Sequence, residues 1–483
     1  MAEIYKNLIY GEWTESETGK TFENVNPADT DEVVGIFQDS DEDDAKKAIR
    51  SAKDAFDLWR EKSPGQRGDI LLKAADILES RVDEVAESMT REMGKTKPEA
   101  KGEVLRSVYI WRWFAGEGRR LIGETSPSDQ NNTLIYTVKE PLGVVGIITP
   151  WNFPVAIAAW KLGPALISGN TVVFKPASLA PLSPLKLIEC LVEAGIPTGV
   201  INYVTGSGKV VGSEIINNPE VKAISFTGSC EVGRKIYEEG SKRIIKVQAE
   251  MGGKNPIIVL EDADLQKAVS CTIASSMLTT GQKCTACSRV IVMDEIAEKF
   301  TEMLIDEVKG YKVGNGLNPD VKIGPLVDEN QLNNVLNYIE KGKNEGAKII
   351  YGGSKLKGGI YDKGFYVEPT IFIDVKSDMV IAQEEIFGPV LAVIKVKDFD
   401  EAIKVANDVE FGLSASIFTN DLNKTFEYAK KIECGIVKVN GSTAGIEFHV
   451  PFGGYKSSSS GTREQGRVAV DFYTQIKTVY IHY

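Results

Sequence analysis

From Val144 onward, short β-branched runs alternate with helical stretches. VVGIIT, TVVFK, VINYV and KAISFT come first, the later ones separated by segments such as LKLIECLVEAG and GRKIYEEGSK. The runs are apolar almost throughout, without the alternation that one solvated face would require. Such runs read as strands buried on both faces, and strand–helix–strand repetition means a parallel sheet covered by helices. A second set follows from about Pro256: PIIVL, SRVIVM, AKIIYGG, PVLAVIKV, SASIFT and GIVKVN. Two α/β units in tandem are expected, in a chain of 483 residues that is long enough for two or three domains.

The first hundred-odd residues read as helices, with Ala48, Ala52, Ala55, Phe56 and Trp59 near one face of a helix over Asp43 to Arg60. TLIYTVKE is a strand pattern, and the serine-rich run from Lys456 to Gly461 reads as a surface loop. The net charge of −12 offers no basic stripe to nucleic acid. Pro150, Asn152 and Pro154 interrupt the longest uncharged stretch, Pro141 to Trp160, which argues against a membrane span. Six cysteines and no secretory signal pattern point to reduced thiols in the cytoplasm.

GQKCTACSR, Gly281 to Arg289, holds a C-x-x-C pair. A structural zinc site would need further ligands, and the chain has two histidines and no second pair. A thioredoxin-like pair follows a strand, whereas this one follows the helical pattern LQKAVSCTIASSMLTTG. One nucleophilic cysteine is the third reading. A thiol near pKa ~8.5 is a few per cent thiolate at neutral pH, and Lys283 beside Cys284 would favour that form. With histidine so scarce, a carboxylate is the natural base, and Glu250 in VQAEMGGKNP ends a strand at a Gly-Gly turn. Cys287 reads either as a small buried filler or as the partner of a reversible disulfide. Gly206, Gly208 and Gly212 follow one strand, and Gly228 and Gly233 follow the next, where a helix N-terminus can face a pyrophosphate. Lys175 ends TVVFK at the same sheet edge, where open α/β sheets bind ligands.

These segments resemble the NAD(P)-dependent aldehyde dehydrogenases. TPWNFP (149–154), WKLGPAL (160–166), FKPAS (174–178), FTGS (226–229), EMGGKNP (250–256), GQKCTA (281–286), EEIFGP (384–389) and PFGGYK (451–456) occur in the family's order. The resemblance implies that Cys284 attacks the aldehyde and that Asn152 and the Cys284 N–H hold the oxyanion. It implies that Glu250 activates water against the thioester left after hydride loss, and that Lys161 orders the site and relays protons. It assigns the dinucleotide to Thr149, Pro150, Trp151, Lys175, Ser178, Gly208, Gly212, Phe226, Gly228, Ser229, Val232, Met251, Glu385 and Phe387. It assigns the aldehyde to Phe153, Trp160, Lys283, Thr285 and Phe452, with no metal.

The implied fold is a Rossmann-type dinucleotide domain (1–121 and 142–252), an α/β catalytic domain (253–450) and a small β arm (122–141 and 467–483). The arm extends a neighbour's sheet, so a homodimer or homotetramer is expected. Members that prefer NAD often carry Glu where this chain has Ser178. A neutral residue there leaves Lys175 free to pair with a 2′-phosphate, so NADP should be accepted or preferred, with NAD also used. GQKCTACSR, AGIEFHVPFGG and SSSSGTREQG are most similar to the 2-oxoglutarate semialdehyde (2,5-dioxopentanoate) dehydrogenases. Lys283 would then belong to an anion site. Succinate semialdehyde or a broad aldehyde range is the alternative. A thioester-to-coenzyme A relative would lack Glu250, and a silent relative would usually have lost Cys284, Glu250 or Asn152. The loop from Lys456 to Arg463 is one residue longer than the commoner family spacing.

Overall fold

The structure, a computed structural model, describes residues 2–483. Its first sheet has seven strands in the spatial order Lys246–Glu250, Val221–Thr227, Val144–Ile148, Thr171–Lys175, Ile201–Tyr203, Asn7–Ile9 and Glu12–Thr14. The first five are mutually parallel. The chain enters at Val144–Ile148, winds out through Thr171–Lys175 and Ile201–Tyr203, then returns to the other side through Val221–Thr227. Strand order therefore reverses between Val144–Ile148 and Val221–Thr227, and a crevice opens beyond their carboxyl ends. TPWN and TGS occupy that crevice because each directly follows one of these two strands.

The N-terminal region departs from the all-helical expectation. Four strands precede the first helix: Asn7–Ile9 extends the first sheet antiparallel to Ile201–Tyr203, Glu12–Thr14 pairs antiparallel with Asn7–Ile9, and Thr21–Val25 pairs with Val33–Gln38. They are three to six residues long, too short for a clear period, and the first pair owes its place to a partner nearly two hundred residues away. The helices come next, Glu42–Glu61, Pro64–Ser80, Val82–Met93 and Lys97–Glu117. Three begin with capping boxes, Asp41 with Asp44, Ser63 with Gln66, and Thr96 with Glu99.

The second sheet runs Lys348–Tyr351, Thr370–Ile373, Val390–Val396, Cys287–Met293, Asn255–Val259, Ser414–Phe418, Ile436–Val439, parallel except at its first pair. Met251 to Lys254 connects the two sheets. Glu250 thus closes the carboxyl end of a strand in one sheet, while Cys284 stands just before the amino end of a strand in the other. Two residues far apart in sequence meet across the junction. TLIYTVKE lies in Thr133–Pro141, which pairs along its whole length with Thr474–His482. Among the described residues, no helix is long and apolar enough to cross a membrane.

Candidate active site

The loop that delivers Cys284 is strained and pinned. Thr279, Thr280 and Gly281 are consecutive residues in the left-handed region, with φ of 55°, 55° and 68°. For the two threonines this costs on the order of 1–3 kcal/mol each, so surrounding contacts must enforce it. Glu99 does so by accepting from the Thr279 N–H (2.8 Å) and hydroxyl (3.0 Å). Thr280 donates to Gly324 O (3.0 Å). A Cβ at Gly281 would lie 2.2 Å from Gly388 O, so only glycine fits there. Downstream, Asn255 Nδ2 donates to the carbonyls of Cys284 (2.7 Å) and Ala286 (2.9 Å).

Asn152 is held from both ends. Its backbone carbonyl accepts from Lys95 Nζ (2.8 Å), and its Nδ2 donates to Gln282 O (3.0 Å), two residues before Cys284. Lys95 is fully buried and paired with the buried Glu103. Glu103 also accepts from the N–H groups of Val155 (2.9 Å) and Ala156 (3.0 Å), capping the helix Pro154–Ile167. A carboxylate at a helix N-terminus meets free donors and the positive dipole end together. The Asn152 turn is thereby fixed relative to the helix that carries Trp160 and Lys161.

Glu250 is buried, and burial pushes its carboxyl well above the ordinary range, with the nearby charge of Glu464 adding to the rise. One oxygen accepts from the Ser459 hydroxyl, and the other, Oε1, has no protein partner. Ser459 Oγ itself accepts from Gly454 N–H (2.6 Å), so its single proton is directed to Glu250. Lys161 pairs with Glu464 and donates to Ser225 Oγ (2.9 Å), and Trp160 Nε1 donates to Glu464 (2.6 Å). Burial pushes the Cys284 thiol up to about 12, with Glu385 and Glu250 adding to the rise. Cys284 is therefore a protonated thiol at rest that needs a base.

A cavity of about 310 Å³ brings together Pro150, Trp151, Asn152, Thr227, Gly228, Ser229, Met251, Cys284, Glu385 and Phe387. Its walls are shaped for a ligand. Gly252 lets Glu385 lie against the backbone, where a Cβ would come within 2.1 Å of the carboxylate. Gly253 N–H donates to Glu385 (3.0 Å), whose carboxyl burial raises to about 7. Phe387 sits edge-on to Trp151 with centroids 5.4 Å apart. The hydroxyl of Thr227 is buried in this wall with no partner. Ser229 caps the helix Cys230–Lys242, receiving the Val232 N–H (3.4 Å). Phe226 lies buried beneath Gly228, and Met251 against Gly233. Thr149, at the end of Val144–Ile148, has a buried hydroxyl without a partner. Further along the edge, Lys175 is buried and donates only to Pro176 O (2.9 Å), and burial lowers it to about 8. Ser178 bonds Gly206 O (3.2 Å), and Gly208 and Gly212 bound one short turn beside it. The buried Trp160 and Phe452 rings lie 5.5 Å apart, and Lys95 Nζ lies 4.0 Å from the Phe153 ring. Thr285 is buried, its carbonyl accepting from Thr443 (2.8 Å).

Three readings change. Lys283 does not front an anion site: it is buried, donates to Ala274 O (3.2 Å), and lines a separate small crevice behind the nucleophile with Cys287 and Phe387. Nor does it set the protonation of Cys284, which burial and carboxylates dominate. The serine run is not a surface loop, because Ser458 and Ser459 are buried and the segment bridges Glu250. Cys287 begins a strand and is buried in the cluster of Ile257, Val290 and Val292, whereas Cys284 packs against Ile446 and Phe452. The two thiols serve different clusters, which supports the filler reading.

The fold and this constellation define a nucleophilic-thiol dehydrogenase: the chain belongs to the aldehyde dehydrogenase family, whose sequence profile matches residues 13–479. It is 50% identical to the alpha-ketoglutaric semialdehyde dehydrogenase of Bacillus subtilis (strain 168), covering 99% of this chain and 98% of that protein. It is 48% identical to the alpha-ketoglutarate semialdehyde dehydrogenase of Haloferax volcanii, with both chains covered in full. Among solved structures, an NADP-dependent enzyme of E. coli superposes with a TM-score of 0.96 at 38% identity, covering 99% of this chain and 98% of that one.

Proposed function

We propose that this enzyme oxidises 2-oxoglutarate semialdehyde to 2-oxoglutarate with NAD(P), accepting or preferring NADP, and works in the cytoplasm as a homodimer or homotetramer. The observation that carries the reading is the meeting of Cys284 and Asn152 in one cavity with Glu385 and Phe387, with Glu250 close enough for its charge to act on the thiol. The relatives of the same length that act on this semialdehyde support the substrate.

The dinucleotide fits the residues present. Ser229 and the helix behind it would face the pyrophosphate, Lys175 and Ser178 the adenosine ribose, and Glu385 and Phe387 the nicotinamide side. When bound, the cofactor supplies the hydride acceptor. Lys175 meets no carboxylate and Ser178 brings no negative charge, so a 2′-phosphate finds a cation and a hydroxyl rather than repulsion.

The chain's own groups do the rest. Cys284 gives its proton to a solvent water in the cavity as Sγ bonds to the aldehyde carbon, so this step does not draw on Glu250. The oxyanion forms near Asn152 Nδ2, which has one hydrogen left after its bond to Gln282 O, and near the backbone N–H of Cys284. After oxidation to the thioester, the free Oε1 of Glu250 takes a proton from water while Ser459 holds the other oxygen. The Lys161–Glu464 pair lies behind Glu250 and offers the proton a way out. The wall beside Cys284 is apolar, which keeps the thioester away from bulk solvent until a water is positioned.

Initial rates with 2-oxoglutarate semialdehyde, succinate semialdehyde and an aliphatic aldehyde, each with NAD and NADP, test this reading. The highest kcat/KM should fall on 2-oxoglutarate semialdehyde, with a free acid as product. A lead for succinate semialdehyde or the aliphatic aldehyde would overturn the substrate.

A further inference from the structure

We propose that Arg106 is the specificity-determining cation that receives the distal carboxylate of the substrate; the inference rests on the semialdehyde reading above. Arg106 lies on the helix Lys97–Glu117, one turn after Glu103, the residue that fixes the Asn152 turn. It is half-buried. Its Nη2 donates to Ile446 O and to Gln465 Oε1 (3.3 Å). Neither acceptor carries charge. Two acids act on it through space, the exposed Glu447 and then Glu103, but Glu103 is paired with Lys95 and neither forms an ion pair with Arg106. Among the described residues no carboxylate reaches it within ion-pair distance. Burial lowers the guanidinium from its usual value, yet it stays cationic at any working pH.

Its two neighbours belong to the substrate side of the site. Ile446 packs with Phe452, Leu413 and Ile436 into the small apolar cluster against which Cys284 rests. Gln465 follows Glu464, which holds Trp160 and Lys161, and Phe452 and Glu464 pair backbone to backbone at 2.7 and 2.8 Å. The guanidinium is thus one residue removed from the nucleophile, along an apolar wall made of Ile446, Phe452 and Trp160. An aldehyde whose carbonyl sits on Cys284 lays its chain along that wall, and a terminal carboxylate would come to Arg106 at its edge. Among the described residues Nε and Nη1 have no acceptor, which leaves donors on both edges of the planar group free for an incoming carboxylate. A partly buried cation without a counter-ion is costly in the free enzyme, and an anionic substrate would relieve that cost. Lys283, the sequence's own candidate for this role, is turned to Ala274 O and cannot serve.

The test compares wild type, Arg106→Met and Arg106→Lys on 2-oxoglutarate semialdehyde and on pentanal, which has the same number of carbons and no charge. Arg106→Met should lower kcat/KM for the semialdehyde by about thirtyfold or more, chiefly through KM, because the contact is made equally before and during the reaction. Its kcat/KM for pentanal should stay within about threefold of wild type. Arg106→Lys, which keeps the charge but not the planar set of donors, should fall between. It also carries the test if the methionine variant fails to fold, since its loss must still be confined to the semialdehyde. Equal losses on both aldehydes would make Arg106 structural and overturn the assignment. So would a wild-type preference for the semialdehyde that survives in both variants, which would leave the proposed function standing. If wild type itself shows no advantage over pentanal, the substrate reading falls and the role of Arg106 falls with it.

Discussion

Cations withdrawn wholly or partly from solvent in this molecule differ in what compensates them, and they sit in different places. Lys95 and Lys161 are each paired with a buried glutamate, Glu103 and Glu464, and each pair touches a residue that shapes the reaction centre. Lys175 and Arg106 have no acid partner, and they lie where the dinucleotide and the aldehyde chain would end. A compensated cation holds geometry, because both charges are satisfied whatever binds. An uncompensated one at a cavity edge is open to a ligand's negative charge, whereas Arg67 and Arg289, buried without acid partners, spend their donors on backbone carbonyls. Lys254 shows a third outcome: buried, without a hydrogen-bond partner and beside Arg289, it is pushed down to about 7 and so sheds much of its charge.

The contrast can be broken most sharply at Glu464. Glu464→Gln leaves the Lys161 ammonium buried without a counter-charge and should cost about 3–5 kcal/mol of stability, read by denaturant or thermal unfolding. Lys175→Met removes a buried cation that has no partner, so its unfolding should match wild type or exceed it, while the KM for NADP rises. Equal destabilisation by the two substitutions would erase the distinction. A smaller effect sharpens it at the ligand end. Ser178→Glu places a carboxylate beside Lys175 and should lower kcat/KM for NADP roughly tenfold to a hundredfold by like-charge repulsion, with NAD little changed. An unchanged NADP-to-NAD ratio would remove the 2′-phosphate from this edge.

The same contrast explains what could be read in the sequence. Cys284, Asn152, Glu250 and Lys175 stand in short contiguous motifs at strand ends, where local pattern and position suffice. The parallel sheets were legible because most of their strands are short apolar runs, buried on both faces and set between helical stretches. Glu464 and Arg106 were not, since each acquires meaning from contacts more than three hundred residues away, Lys161 for one and Ile446 and Gln465 for the other. The two pairs also look like ordinary surface charges in sequence; KTKPEAKGE, which contributes Glu99 and Glu103, reads as a solvated helix start. Ser459 misled through composition. A run of serines suggests solvent, but Ser458 and Ser459 are buried with their hydroxyls engaged by Gly412 N–H (3.0 Å), Gly454 N–H (2.6 Å) and Glu250. Lys283 misled through adjacency: a neighbour in sequence pointed its ammonium elsewhere.

The division of labour between Cys284 and Glu250 is the centre of the account, and a single-turnover experiment addresses it directly. Glu250→Gln is mixed with 2-oxoglutarate semialdehyde and NADP, the reduced cofactor is followed by absorbance, and the quenched protein is weighed by mass spectrometry. The account predicts one equivalent of reduced cofactor per active site, slow turnover afterwards, and an acyl group on Cys284. Steady turnover without a burst, and without an adduct on Cys284, would contradict it.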